Sequence, residues 1–396
     1  MNVKSIGMLV KEKIVQNEEN MTDQEVLQLI EDVVYGDPDC SIAPLNQLSL
    51  MIHQIFYSIR KDMDVLQPYM EDDSVSEIMV NGIHDIFVEA NGAIKRVDVR
   101  FESTEELEEI IRRVAAKVYK DINELNPILD ARMADGSRIN AVYKNIAING
   151  PILTVRKFPK QAITMDHLIN WGTITQEAAE YLQTLVECGY NIFISGGTSS
   201  GKTTFLNILS NYIPCHERVI VIEDSAELQI LQIENLVRME CKNANVQGKG
   251  QVSMEQLIKT SLRMRPDRII VGEVRGKEVM DMIQAMNTGH DGSLSTGHGN
   301  SIEGMLRRLE SMFLQAANFP IEAIRTQIAE ALDVIVHLGR LQESGRRVLE
   351  IAEVVGVRNG EICFNSLFKY SIRNGLTSTG NPLCNQQKLR FYNKEK

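Results

Sequence analysis

Residues 196–203 read Gly-Gly-Thr-Ser-Ser-Gly-Lys-Thr, the residue types and spacing of a phosphate cradle. Gly196 and Gly201 let the backbone bend tightly and approach phosphate oxygens. The N–H groups of Gly197, Thr198, Ser199 and Ser200, with the start of a following helix, offer a concave, partly positive anion site. Lys202 is spaced to reach β- and γ-phosphates, the Thr203 hydroxyl to hold Mg²⁺, and Thr204 follows at the mouth of the site. Asn191-Ile192-Phe193-Ile194-Ser195 reads as a short apolar strand before the cradle, and Thr204 to Leu209 as the start of a helix after it.

Two acidic groups stand where strands end. Arg218-Val219-Ile220-Val221-Ile222 is a buried-strand pattern running into Glu223-Asp224, and Asp267-Arg268-Ile269-Ile270-Val271-Gly272 runs into Glu273. In open α/β sheets ligands gather at the carboxyl ends of strands, so both acids are expected near the cradle. Glu273 is the candidate base that activates water, and Glu223 a candidate catalytic carboxylate and outer ligand for Mg²⁺ beside Thr203. Gly272 stands where the usual second nucleotide motif has Asp. An Asn-Lys-x-Asp guanine motif is absent from the sequence, which favours ATP over GTP.

His290 and His298 flank a strand of small residues, in Thr288-Gly289-His290-Asp291-Gly292-Ser293-Leu294-Ser295-Thr296-Gly297-His298-Gly299-Asn300. A histidine placed there can sense a terminal phosphate or carry strain to a subunit edge. The dense glycines read as close backbone approach or as motion.

These groups need elements to hold them. The 396 residues suffice for two or three domains. Residues 1–65 have a helical pattern, with Thr22 and Glu25 spaced as a capping box and Leu27, Leu29 and Ile30 on an apolar side. Residues 66–160 read as a smaller α+β domain. It has strands at 77–80, 86–89, 93–100, 137–141 and 153–156, a hairpin turn at Asn91-Gly92 and an amphipathic helix over 105–118. Phe158 to Gln161 reads as its closing linker. Residues 161–370 alternate helix and strand, with strands at 191–195, 218–222, 268–272, 293–296, 332–337 and 348–356, which predicts an α/β domain on a parallel-containing sheet. Residues 371–396 are polar and read as a weakly ordered C-terminal tail.

Composition narrows the function classes. A formal net charge of −11 argues against a general nucleic-acid surface. No apolar run approaches the length of a membrane span, and the apolar start is too short for a secretion signal, so a cytoplasmic place is expected. The six cysteines include no Cys-x-x-Cys pair, and the seven histidines lack zinc-site spacing.

Four blocks together resemble the secretion ATPase superfamily of type II secretion, type IV pili and type IV secretion. They are the phosphate loop, Ile222-Glu223-Asp224-Ser225-Ala226-Glu227-Leu228, Leu262 to Gly276, and Ala285 to Ser293. The match is closest to the CpaF/TadA branch, the ATPases of tight-adherence (Flp) pilus assembly. Ser76 to Gly82 and Asp130 to Asn140 match that branch's N-terminal domain. The resemblance covers about residues 65–370. It implies a RecA-like ATPase domain that binds ATP and Mg²⁺ and a homo-hexameric ring at the inner face of the cytoplasmic membrane. Its partners there would be integral membrane platform proteins, with the membrane reached only through them. It also implies that Arg132, Arg138 and Arg156 reach the nucleotide's phosphates from the N-terminal domain, with Arg263 and Arg265 as candidates across a subunit boundary. The family commonly has an apolar residue before the second box histidine and Ala after it. Gly297 and Gly299 stand there instead, and a flexible turn around His298 is the expectation. A type IV secretion or DNA-translocating motor, and a nucleotide-regulated scaffold without turnover, are the alternatives.

Overall fold

Apolar–polar alternation organises the first of the chain's two units, Met1–Gln161, and continuous apolar runs organise the second, Ala162–Lys396. The computed structural model describes residues 3–16, 21–38, 40, 43–158, 163–242, 244, 249–341 and 345–391.

Helices Val3–Gln16, Asp23–Gly36 and Leu45–Arg60 open the first unit. The second starts on the expected capping box: the Glu25 amide donates to the Thr22 hydroxyl oxygen, and the Thr22 amide donates to the Glu25 carboxylate at 2.6 Å. Its buried face is Val26, Ile30, Val33 and Val34, whereas the expected Leu27 and Leu29 are only partly covered. The helical period selects the first set, since 26, 30, 33 and 34 share one stripe.

Six strands follow: β1 (Val75–Asn81), β2 (Ile86–Ala90), β3 (Ala93–Arg96), β4 (Ile128–Arg132), β5 (Arg138–Val142) and β6 (Ile152–Arg156). They form one antiparallel sheet in the order β3-β2-β1-β6-β5-β4. Asn91 and Gly92, both left-handed with φ of 52° and 79°, turn β2 into β3. Helix Thr104–Lys117 buries Leu107, Ile110, Ile111, Val114 and Ala115 in the same core as the sheet's inward residues. Strand β4 escaped the sequence pattern because, as an edge strand, it buries only Leu129 fully. Of the expected linker, residues 159–161 lie outside the described residues.

Among the described residues the second unit holds nine strands: β7 (Ile192–Gly196), β8 (Val219–Glu223), β9 (Leu236–Glu240), β10 (Arg268–Val271), β11 (Leu294–His298), β12 (Val334–Leu341), β13 (Gly345–Arg358), β14 (Glu361–Ser371) and β15 (Gly375–Ser378). Their order is β15-β14-β13-β12-β7-β11-β10-β8-β9. From β12 through β7 to β9 neighbours are parallel, and from β12 to β15 they are antiparallel. Both faces of the sheet's centre are covered, which is why β7, β8 and β10 read as apolar runs. Ile192, Ile194, Val219, Val221 and Ile270 pack into one core, with residues of helices Gln176–Glu187 and Lys202–Ser210. Phe193, Ile220, Ile222, Ile269 and Val271 pack into the other, with residues of helices Glu278–Asn287 and Ile302–Ala316. The architecture is the expected α/β class: the second unit is a phosphate-loop domain of RecA-like type on a parallel-containing sheet, and the first unit is the α+β and helical part.

Residues 371–391 depart from the expected weak order. Strand β15 extends the sheet, Leu376 and Leu383 are buried in the first core, and Lys388 reaches Asp333 and Asp291 at 2.7 Å each. Among the described residues no helix is long and apolar enough to cross a membrane.

Candidate functional site

Strand β7 delivers the phosphate loop to the carboxyl end of the sheet with β11 on one side and β12 on the other. Gly196 closes the strand in a space that no side chain could share. A Cβ there would stand 2.5 Å from Ser200 Oγ and 2.7 Å from the Leu338 carbonyl oxygen. Ser199 (φ 58°) and Gly201 (φ 95°) take left-handed backbone, which turns the loop into helix Lys202–Ser210. Thr198 and Ser199 are exposed and Gly197 half-buried, so the loop's outer surface is open. Thr203 and Thr204 sit partly buried in the first turn of the helix, which begins at Lys202, two residues earlier than the sequence pattern indicates.

Lys202 is buried and folds back over its own loop. Its Nζ donates to the carbonyl oxygens of Gly196 (3.2 Å) and Gly197 (3.0 Å) and lies 3.3 Å from His298 Nδ1. Burial pulls the Lys202 pKa below the ordinary lysine value, opposed by the charge of Glu273. His298 ends β11, paired in register with Gly196, and its Nε2 lies 2.8 Å from Glu273 Oε1. Burial also lowers the His298 pKa, again against the pull of Glu273. An ammonium facing Nδ1 requires a lone pair there, which places the neutral ring's proton on Nε2.

Glu273 follows β10 and is held against β11: the Val274 amide donates to the Thr296 carbonyl (2.9 Å), and the Thr296 hydroxyl donates to the Gly272 carbonyl (2.7 Å). Arg275 donates to Glu273 Oε2 at 2.9 Å and stands 3.6 Å from Asp224. Glu273 Oε1 is buried and, despite its 2.8 Å approach to the imidazole, has no aligned hydrogen bond among the described residues. A buried carboxylate oxygen left this way is costly unless something else supplies the bond. The buried Ser200 hydroxyl is in the same condition.

Glu223 takes a different part. Its Oε1 accepts from the Glu227 (2.7 Å) and Leu228 (2.9 Å) amides, and its Oε2 lies 3.9 Å from the Arg238 guanidinium. Burial raises its pKa, opposed by those two amide bonds. The carboxylate therefore shapes the loop after β8. It also explains Gly272, where a Cβ would sit 3.2 Å from Glu223 Cγ.

His290 stands apart from this group. It precedes β11, at the opposite end of that strand from His298, and its Nδ1 lies 3.1 Å from the Ala285 carbonyl oxygen. Arg263 and Arg265 likewise lie just before β10, away from its carboxyl end. In the first unit, Arg132, Arg138 and Arg156 fall in one register row across β4, β5 and β6. Arg132 stacks over the Phe158 ring at 5.7 Å and donates to the Gly136 carbonyl at 3.3 Å.

Gly297 and Gly299 serve close packing, contrary to the flexible turn expected around His298. A Cβ at Gly297 would meet Phe193 Cζ at 2.9 Å and Met305 Cε at 3.1 Å, and one at Gly299 would meet Ser195 Oγ at 2.7 Å. Gly297→Ala is therefore expected to lower unfolding free energy by about 1–3 kcal/mol. A position glycine holds for flexibility alone would respond in the opposite sense, gaining about 0.4–1 kcal/mol. Urea denaturation of the two proteins decides by the sign of the change.

Three residues were missed in the sequence. Arg275, two positions past Glu273, is the one its spacing could have revealed. Arg346 reaches the loop from β13, and His337 on β12 lies 3.3 Å from Ser195 Oγ; neither carries a local motif.

The family model for type II/IV secretion system proteins matches residues 60–388. An uncharacterized protein of Methanocaldococcus jannaschii is 42% identical over 258 residues, 61% of this chain and 34% of that protein, so the match spans about a third of that relative's length. The conjugal transfer protein TrbB of Rhizobium radiobacter is 33% identical over 301 residues, 75% of this chain and 88% of that one. The crystal structure of the pilus retraction motor PilT with bound ADP has 19% identity and a TM-score of 0.53, over 84% of this chain and 87% of that one; the likeness is one of fold.

Proposed function

The chain belongs to the type II/IV secretion system protein family, and on that premise we propose that it is an ATPase whose hydrolysis drives a secretion or pilus machine. The observation that carries the reading is the line Lys202–His298–Glu273. It connects the phosphate loop to a buried carboxylate oxygen still lacking a hydrogen bond. The loop amides and Lys202 take the phosphates, and Lys202 leaves the Gly196 and Gly197 carbonyls for a charge-assisted contact. The Thr203 hydroxyl would hold Mg²⁺, and the ion would supply neutralisation of phosphate charge. The residues present fit such an ion: Thr203 lies in the first turn of the helix after the loop, and the buried Ser200 hydroxyl has no hydrogen-bond partner among the described residues.

Glu273 accepts the proton of the attacking water as its oxygen bonds to the γ-phosphorus and the bond to the bridging oxygen breaks. Neutral His298, touching both Lys202 and Glu273, reports the state of the phosphates to the base. Arg275 holds Glu273 and couples it to Asp224. Glu223 serves this site by shaping the loop after β8, in place of a direct role on the metal. His290 belongs to another part of the surface.

The finer readings rest on the resemblance. They are assembly of a tight-adherence pilus, a hexameric ring at the inner face of the cytoplasmic membrane, and membrane platform proteins as partners. They also include phosphate contacts from the row Arg132, Arg138 and Arg156 when domains close. The relative named a conjugal transfer protein supports a second reading, a motor for conjugal transfer. DNA-stimulated hydrolysis would bring that reading forward. The deciding experiment is steady-state phosphate release from ATP and Mg²⁺ by the full chain. Many phosphates per chain are expected; release that stops at one leaves a nucleotide-binding scaffold.

A further inference from the structure

Strands β12 and β13 run beyond the point where β12 pairs with the phosphate loop. Leu338 is opposite Gly196, and Gly339, Arg340 and Leu341 continue past it, paired with Arg347, Arg346 and Gly345. This extension stands beside the loop on the side away from β11. Arg346 Nε donates to the Ser199 carbonyl at 3.0 Å, and a Cβ on Gly201 would lie 3.4 Å from Arg346 Cδ. The arginine therefore braces the loop at its two left-handed residues, where backbone conformation has the most to lose.

Arg340 is directly opposite Arg346, both are exposed, and among the described residues neither has an ion-pair partner. Like charges facing each other across a strand pair repel. In a chain of net charge −11 they make a local cationic rim beside an anion cradle.

The sheet order says which part of a nucleotide meets this rim. Glu273 and His298 stand on the β10–β11 side of β7, so the phosphate that is hydrolysed lies on that side. The β12–β13 extension flanks the other side, towards the nucleoside. We infer that Arg346, with Arg340 across from it, is a positioning residue for nucleoside di- and triphosphates: it fixes the loop through Ser199 and faces the nucleoside end. This rests on the ATPase reading of the site.

Such a contact serves ADP and ATP alike and leaves the chemical step alone. In the full chain, Arg346→Ala is expected to raise the Kd of ADP and of a non-hydrolysable ATP analogue by the same factor, about tenfold, equivalent to about 1.4 kcal/mol. KM for ATP rises with it, while kcat stays within about threefold, the pattern of lost uniform binding. Arg346→Lys keeps the charge but loses the fork, and stays about threefold or more weaker than the native chain. Unchanged ADP affinity, a loss confined to the ATP analogue, a fall in kcat at constant KM, or full recovery by lysine would each overturn the assignment. If the native chain bound neither nucleotide, the ATPase reading itself would fall, and this inference with it.

Discussion

Replacing Glu273 with Gln is expected to leave nucleotide binding within about threefold of the native chain and to slow phosphate release by about 10²- to 10⁴-fold, the usual share of a general base. The amide keeps the size of the carboxylate, so the packing of Gly272 to Val274 against β11 persists. What disappears is the charge that faces His298, Lys202 and Arg275, and with it the proton acceptor. Because Glu273 attracts protons to His298, its loss lets burial dominate the imidazole more strongly, and the His298 pKa drops further below its ordinary value. The ring thus stays neutral in the variant at neutral pH, and lost turnover is not traceable to a charged histidine. Titration with labelled ADP and a steady-state phosphate assay separate the two effects. Native turnover in the variant would remove Glu273 from the chemistry and leave the Lys202–His298–Glu273 line as a structural network.

The sheet's centre was legible because its strands are covered on both faces, and Ile192–Gly196 and Val219–Glu223 therefore read as apolar runs between turns. Its margins were harder. Strand β9 is an edge strand with no fully buried residue, and β14 buries only Leu367 and Phe368, so neither carries the run that marks a core strand. The ordered stretch 375–391 hangs on a few anchors, Leu376, Leu383 and Lys388, whose spacing follows no period. In the site, the cradle and the strand-end acids followed from local pattern. The order of the two histidines did not, although strand direction contained it. In a parallel sheet the residue at the carboxyl end of β11 comes beside Gly196, and His298 holds that place while His290 precedes the strand. The glycines beside His298 were read as freedom. Glycine looks the same in sequence whether it lends motion or lets Phe193 and Met305 approach, and only the packed neighbours separate the two. Arg346 is 147 residues from the Ser199 it braces, a distance no local motif spans.

Replacing Lys202 with Ala is expected to abolish turnover and weaken ATP analogue binding by about 100-fold or more, equivalent to about 2.7 kcal/mol. The side chain is buried between the Gly196 and Gly197 carbonyls and His298 Nδ1, so the loop carries its cation preformed. Two opposing effects decide what the loss does to the fold. The ammonium satisfies two carbonyl oxygens, but burial works against its charge and lowers its pKa. Alanine removes the three contacts and the desolvated charge together, so the melting temperature of the nucleotide-free protein is expected to change by only about 2 °C, within the range of a small stability change. The response to ligand differs sharply. ADP at about 100 times the native Kd is expected to stabilise the native chain by about 2.7 kcal/mol through linkage, whereas a variant of about 100-fold weaker affinity meets ligand only at its own Kd and gains about 0.4 kcal/mol. Arginine is no substitute, since a planar fork cannot occupy the place of a compact ammonium facing two carbonyls and an imidazole. Thermal melts with and without ADP and Mg²⁺, beside a direct titration, check both halves. A variant that still gains native stabilisation from ADP would show that the loop's amides carry the phosphates without Lys202.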